Sequence, residues 1–316
     1  MLNANQQINW LLRDKYRNKI TPAAKKDIAR LHQGEPLDYI IGWKEFLGCK
    51  IDLSLRPLIP RPETEFWVEQ TIKLIKKLCH CEPRPQGPRR ACARCSASAR
   101  KRGNPELCGS LDPEIATSPA PRTFNKSCGV RGPRNDKISC LDLFSGSGCI
   151  GIAILKHIPQ AKVDFTDIDK NCLKQVKINL KLNKIPVKKY RIVPTNVFKS
   201  LLKTKNYQLK TYDYIFANPP YISLKNKTKL QKSVIQYEPH QALFTKQNGL
   251  YFIDQTLLQA KNYLKLNGQL FLEFSPEQKN AITILLKKYQ YRKWRFNKDQ
   301  FNRWRWLTLC PPHLQK

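Results

Sequence analysis

Apolar positions along the chain follow two rhythms, one helical and one alternating. Residues 3–33 repeat at helical spacing and read as two short helices, with Pro22 placed to start the second. Residues 37–59 mix Tyr39, Ile40, Ile41, Trp43 and Phe46 with Gly42 and Gly48, which predicts a helix end followed by a hairpin. From about Glu63, the positions Val68, Ile72, Ile75 and Leu78 fall on one face at spacings of four and three, so another helix is expected.

From Ile138 onward, strands and helices alternate. Residues 139–144 form a buried-strand run that ends in Ser145-Gly146-Ser147-Gly148, and a helix follows over 150–157. Residues 162–166 read as a second strand, closed by Asp167-Ile-Asp169 before a helix from 170 to about 182. Residues 191–194 and 212–217 are expected as strands three and four. Leu250, Ile253, Leu257, Ala260 and Leu264 share a helical face that Gly268 is expected to end, and residues 269–274 supply strand five. Ser275-Pro-Glu-Gln278 then reads as an N-cap, a first-turn proline and a capping-box glutamine. Residues 291–296 and 304–309 would close the sheet as an antiparallel pair. This βαβα order predicts an α/β doubly wound sheet whose ligands bind beyond the carboxyl ends of the strands.

Composition changes that picture in one place. Between residues 79 and 137 there are nine arginines against three lysines, six of the chain's eleven cysteines, eight prolines and one aromatic, Phe124. Such a stretch buries too little apolar surface to offset the entropy of ordering it, so it reads as an inserted, mostly disordered loop. Cys79-x-Cys81 and Cys92-x-x-Cys95 are the sharp alternative, a tetrahedral zinc site, but the short spacings and crowding Pro and Arg residues favour no metal. Elsewhere Cys149 and Cys172 sit in apolar runs and read as small core residues.

The chain has 57 Lys and Arg against 24 Asp and Glu, a formal charge of +33. That excess attracts polyanions by counterion release, and it would suit work near the ribosome. A lysine-rich solvated surface explains it equally well, because no RNA-binding aromatic motif accompanies it. No apolar run reaches the length of a membrane span, and no signal-peptide block opens the chain. A cytoplasmic location is expected. The alternative is the mitochondrial matrix, since the first twenty residues hold four basic groups and one acid.

Two segments carry the candidate chemistry. The glycine turn 145–148 lets a ligand approach the backbone, and Asp167, 19 residues beyond Gly148, stands where a carboxylate can accept both ribose hydroxyls. Asp169 fits the helix-capping role better. A nicotinamide dinucleotide would need the full pyrophosphate cradle, which this loop lacks. S-adenosylmethionine has no phosphate and is content with one short turn, with Thr195-Asn196-Val197-Phe198 placed to meet its adenine. Directly after strand four, Asn218-Pro219-Pro220-Tyr221 lacks two N–H donors and presents acceptors instead. Such acceptors can grip both hydrogens of a planar NH2 group and aim its nitrogen at a methyl carbon. Tyr221 adds a π-face for the planar group and the sulfonium charge.

Asn-Pro-Pro-Tyr-Ile (218–222) is similar to the motif of amino-group methyltransferases, which modify adenine or glutamine. Glu35-Pro-Leu-Asp-Tyr-Ile-Ile-Gly42, Leu58-Ile-Pro-Arg-Pro-Glu-Thr-Glu65, Leu141-Asp-Leu-Phe-Ser-Gly-Ser-Gly-Cys-Ile-Gly151, Tyr237-Glu-Pro239 and Asn248-Gly-Leu250 narrow the choice. Together they resemble the peptide chain release factor N5-glutamine methyltransferases. The resemblance implies a seven-stranded, mostly parallel Rossmann-like sheet and methylation by S-adenosylmethionine of the glutamine in a release factor's Gly-Gly-Gln loop. It implies cofactor contacts from Ser145, Gly146, Ser147, Gly148, Asp167, Asn196, Val197 and Asn218. The glutamine pocket would comprise Asn218, Pro219, Pro220 and Tyr221, with Arg61, Pro62, Glu63 and Thr64 at its rim. The family usually has Gly at the place of Phe144 and Asp at that of Asn196; Phe144 is expected to narrow the methionyl end.

The expected organisation is a short helical region (1–34), a hairpin linker (35–59), a leading helix (60–78), the insertion (79–137) and the catalytic domain (138–316), acting as a monomer. The rival function is N6-adenine methylation of DNA or RNA, disfavoured because no separate target-reading domain remains and Arg61-Pro-Glu-Thr-Glu65 would be unexplained. A third reading is a silent binding protein.

Overall fold

The computed structural model describes residues 4–80, 137–201 and 210–311. The cysteine-rich insertion lies outside these residues, apart from positions 79, 80 and 137, and so do Cys81, Cys92 and Cys95 of the zinc alternative. Among the described residues, no group of three or more His, Cys, Asp or Glu could hold a metal ion, and no helix is long and apolar enough to cross a membrane.

Three helices, α1 (Ala4–Tyr16), α2 (Pro22–His32) and α3 (Leu37–Ile41), pack around Leu11, Leu31 and Ile40. Thr21 caps α2 by accepting from Ala24 N, and Pro22 occupies its first turn as expected. Gly42 leaves α3 with φ +90°, in the left-handed region that favours glycine, and the chain enters the hairpin β1 (Trp43–Phe46) and β2 (Cys49–Asp52). A long helix, α4 (Pro62–His80), follows with Val68, Ile72, Ile75 and Leu78 all buried.

The main sheet has seven strands in the order β10-β11-β9-β6-β3-β4-β5. These are β3 (Ile138–Leu143), β4 (Ala161–Asp167), β5 (Tyr190–Pro194), β6 (Tyr212–Ala217), β9 (Leu264–Glu273), β10 (Trp294–Lys298) and β11 (Trp304–Leu309). All neighbours run parallel except β11, which is antiparallel to both β9 and β10. The crossover helices α5 (Cys149–His157) and α6 (Lys170–Leu182) lie with α4 over one face, and α9 (Tyr251–Tyr263) and α10 (Lys279–Lys288) cover the other. Alternation along β3 shows why: Ile138 and Cys140 join the first core, Leu141 and Leu143 the second. Between β6 and α9 run the short pair β7 (Ile222–Ser223) and β8 (Phe244–Thr245) and the helices α7 (Lys232–Tyr237) and α8 (His240–Leu243).

Two expectations are corrected. The first strand stops at Leu143, because Phe144 adopts φ +61° and turns out of the ladder. Gly268 does not end the helix before it; α9 stops at Tyr263 and Gly268 lies within β9. There a Cβ would stand 2.8 Å from the Tyr212 carbonyl oxygen, so glycine is required by the close approach of β6.

Amide side chains of α6 and its C-cap fasten the hairpin to the main sheet layer. Asp52 N donates to Asn179 Oδ1 at 2.7 Å, Leu55 N to Gln175 Oε1 at 2.9 Å, and Lys50 N to Asn183 Oδ1 at 3.1 Å. Gln175 and Asn179 are fully buried, so these bonds replace water that the hairpin backbone has lost. That placement fixes residues 53–61 against the carboxyl end of the sheet.

Candidate active site

Strands β4 and β5 flank β3 on one side and β6 and β9 on the other, so the loops leaving β3 and β6 part and open a crevice. A partly open cavity fills it, lined mainly by apolar groups with a few polar ones, as small-molecule sites are. Each strand tip contributes: Phe144 and Gly146 after β3, Asp167 and Ile168 after β4, Asn196 and Val197 after β5, and Asn218 and Pro220 after β6.

Of the glycine turn, only Gly146 reaches this cavity. Its φ is +53° and a Cβ there would meet nothing within 4 Å, so the floor is open backbone. Ser145 instead bonds across the turn, its hydroxyl donating to Asp142 O at 2.8 Å and accepting from Thr166 N at 2.8 Å. Ser147 O accepts from Asn179, and Gly148 starts α5 at φ +80° with Val176 pressed against it. These three shape the turn. Phe144 lines the cavity edge-on to Phe252 at 5.4 Å, and Val197 too holds a left-handed φ, +53°. Such a conformation is strained for a residue with a Cβ, so Phe144 and Val197 are both held where glycine would sit without cost.

Asp167 Oδ2 accepts from Gly146 N and Oδ1 from Asp169 N, each at 2.9 Å, so both oxygens are aimed but neither is saturated. Burial pushes this carboxyl above its ordinary range despite those bonds, an imbalance that further hydroxyl donors would relieve. Beside it Ile168 is 63% exposed, an apolar surface ready for a flat ligand. A ribose on the carboxylate and an adenine against Ile168 and Val197 therefore fit the residues present. Asp169 caps α6 through Asn171 N, and Gln241 of α8 bonds to Asp169 across the cavity mouth.

A second, outer cleft of about 510 Å³ adjoins the first. Asn218 lines both, while Pro219, Tyr221, Arg61 and Glu63 face only the outer one. Pro62 opens α4, and Thr64 is buried beneath the site. Arg61 pairs at 2.6 Å with Glu238, whose side chain is 1% exposed, and Glu63 pairs with Arg303 at 2.8 Å.

The organising group under the site is Glu273, at the end of β9, which the sequence reading missed. It accepts from Trp67 Nε1 at 2.6 Å, Thr64 Oγ1 at 2.7 Å and Tyr221 Oη at 2.9 Å. Because Thr64 spends its proton on Glu273, its oxygen can only accept, and Asn218 Nδ2 donates to it over 3.4 Å. The Asn218 carbonyl is thereby left as a free acceptor at the junction of the two cavities. Burial pushes Glu273 above the usual carboxylate range, and its three donors pull it back. Burial and the Glu273 charge push the Tyr221 hydroxyl far up, so it stays a donor. The available signal was a lone acid inside the apolar run 270–274, in the strand beside the one that leads into Asn218.

Two other motifs find their reason here. Gly249, φ +87°, lies so close to the Tyr221 carbonyl that a Cβ would stand 2.1 Å from its oxygen. Gln278 uses both ends of its amide, accepting from Ser275 N at 3.0 Å and donating to Tyr221 O at 2.9 Å.

Residues 133–265 match the family model described as methyltransferase small domain. The chain is 28% identical over 284 residues to a release factor glutamine methyltransferase of Flavobacterium psychrophilum, covering 89% of this chain and 78% of that protein. It is 29% identical over 295 residues to a bifunctional methyltransferase of Rickettsia conorii, covering 93% of this chain and 48% of that one. The chain thus spans about half the length of several of the curated relatives it matches. Among solved structures, the hMettl16 catalytic domain in complex with an RNA hairpin of MAT2A superposes with a TM-score of 0.50 at 14% identity, over 84% of this chain and 76% of that one, a likeness of fold. Residues 133–265 thus resemble a methyltransferase small domain, carried on a Rossmann-like sheet, and most of the chain is similar to release factor glutamine methyltransferases.

Proposed function

We propose that this chain methylates the side-chain amide nitrogen (N5) of the glutamine in the Gly-Gly-Gln loop of a peptide chain release factor, with S-adenosylmethionine as methyl donor. The observation that carries this reading is the position of Asn218, which forms a wall common to the cavity that Asp167 lines and an open outer cleft. When bound, S-adenosylmethionine supplies an electrophilic methyl carbon on a sulfonium. Asp167 would hold the ribose hydroxyls, and Gly146, Asn196 and Val197 the remainder, with Ser145, Ser147 and Gly148 shaping the turn.

The chain's own task is to make a poor nucleophile attack. An amide nitrogen has its lone pair delocalised into its carbonyl. The Asn218 carbonyl, fixed outward by the Thr64–Glu273 relay, accepts one of the N–H bonds, and a backbone oxygen of the Pro219-Pro220 segment accepts the other. Holding both hydrogens turns the nitrogen toward the donor cavity and favours pyramidal geometry. The nitrogen becomes acidic once methylated and loses its proton to water, so no strong base is needed. In this reading residues 138–316 are the catalytic domain, and residue 60 onward supplies the rim through Arg61 and Glu63.

The test is mass spectrometry of a release factor after incubation with the chain and the donor. One added methyl on the loop peptide, absent when the loop glutamine is alanine, is expected. Methyl transfer to DNA or RNA adenine with none to the release factor refutes the proposal. Asn218→Ala should lower turnover far more than donor affinity.

A further inference from the structure

Away from the site, an open groove of about 830 Å³ runs between α4 and the antiparallel edge β10–β11. None of its lining residues lines either cavity of the site. Its walls combine half-buried aromatic rings, Phe66, Phe296 and Trp304, with four cations, Lys73, Lys77, Arg295 and Lys298, and no carboxylate. We propose that this groove binds single-stranded RNA.

Three observations select that occupant. The charge on the walls is of one sign. Lys73 has a single partner, Glu69, at 2.7 Å, and among the described residues no ion pair engages Lys77, Arg295 or Lys298. An apolar groove meant for another protein segment would leave four cations facing an apolar surface, at a desolvation cost; a phosphate backbone neutralises them. Secondly, one wall cation and a neighbouring lysine lie against the rings. Lys298 lies 5.1 Å from the Trp304 ring centroid, and Lys279, at the groove's edge, lies 3.8 Å from it and 5.6 Å from that of Phe296. Rings with adjacent cations form the pairing that bases and phosphates need, since every base has a face to stack. An acidic peptide would use the cations and gain nothing from the rings. Thirdly, Gln70 and Asn297 place amide groups on the walls; the Asn297 NH2 is held by Trp306 O and Thr308 Oγ1, which leaves its carbonyl to accept from ribose 2′-hydroxyls. The net charge of +33 brings polyanions near, and this groove gives them a place to stack.

The experiment uses the full chain and a short fluorescein-labelled oligouridylate, read by anisotropy across a salt series. It needs no methyl donor, so its outcome is separate from that of the proposed reaction. Four neutralised phosphates predict a slope of log K against log salt of about −3. The double variant Lys77→Glu/Arg295→Glu should weaken binding roughly tenfold or more. Trp304→Ala should weaken it by about tenfold, while Trp304→Phe stays within about twofold because the ring is retained. Thermal melts check that each variant is folded, and methyl transfer should be unchanged in Lys77→Glu/Arg295→Glu. The control Lys177→Glu/Lys181→Glu, on the exposed side of α6, makes the same charge change elsewhere. A loss in that control as large as in the groove variant overturns the proposal, leaving diffuse charge as the cause. So does equal competition by polyglutamate, which makes the groove an acidic-peptide site, or equal binding of oligothymidylate, which removes the choice of RNA.

Discussion

Replacing Glu273 by glutamine tests the network under the site, since it keeps the Thr64 bond behind Asn218 and reverses the one from Tyr221. The carboxylate accepts three bonds, from Trp67, Thr64 and Tyr221. Bonds to a charged acceptor contribute about 1.5–3 kcal/mol and neutral ones about 0.5–1.5, so three weakened bonds lose roughly 3 kcal/mol. Removing a buried charge returns several kcal/mol of desolvation, the same penalty that raises the Glu273 pKa. The two nearly cancel, and stability should change by about 1 kcal/mol or less. Polarity does not cancel. With the glutamine oxygen retained by Thr64 and Trp67, its NH2 faces Tyr221, whose hydroxyl must reverse and accept. A shift of about 1 Å in a positioning group costs about a hundredfold in rate, so turnover should fall roughly thirtyfold to a hundredfold. Initial rates with tritiated donor and a release factor measure this, alongside a chemical melt. Donor affinity, set by Asp167 and its neighbours, should move less than about threefold, within the spread of uncoupled sites. Thr64→Val breaks the relay at its other member and should show a similar loss. Thr64→Ser should restore most of the rate, and the double variant should be little worse than either single one. Turnover within threefold of the parent in a folded Glu273→Gln protein refutes the positioning role.

Asp167→Ala removes the acceptor of two hydroxyls; with about 3 kcal/mol at stake, calorimetry should find S-adenosylmethionine bound about a hundredfold more weakly. Gly249→Ala drives a Cβ into the Tyr221 carbonyl and the Gln278 amide, so a melt should show about 2–4 kcal/mol of destabilisation together with reduced turnover. Asp164 is desolvated, which raises its pKa, but bonds from Arg191, Lys210 and Tyr212 outweigh this and hold it below its ordinary value. A carboxyl with a depressed folded pKa adds stability above its unfolded pKa and loses it as pH falls through the folded one. Asp164→Asn should therefore cost about 3 kcal/mol at neutral pH, and the gap should close as acid protonates the parent. Equal destabilisation at both pH values counts against that pairing.

Much of this molecule was legible in the order of its residues. Period and punctuation settle local structure, because a helix or strand buries its apolar face wherever the core lies; α2 begins at Pro22 and α4 buries the stripe from Val68 to Leu78. The βαβ order then allows few topologies, since parallel neighbours need covered crossovers, and the turn after β3 and Asn218 after β6 arrive at one crevice for that reason. What the order of residues did not disclose depends on distance through space. Gly268 reads as a helix stop, yet it is glycine because the β6 backbone passes it. Thr64 reads as a rim residue but lies buried, as one link between Asn218 and Glu273, 209 residues away from it. Hydrogen-bond direction is a property of the assembled network, in which each donor excludes another choice. No local pattern carries it, so only tertiary structure decides which oxygen of this site is free to act.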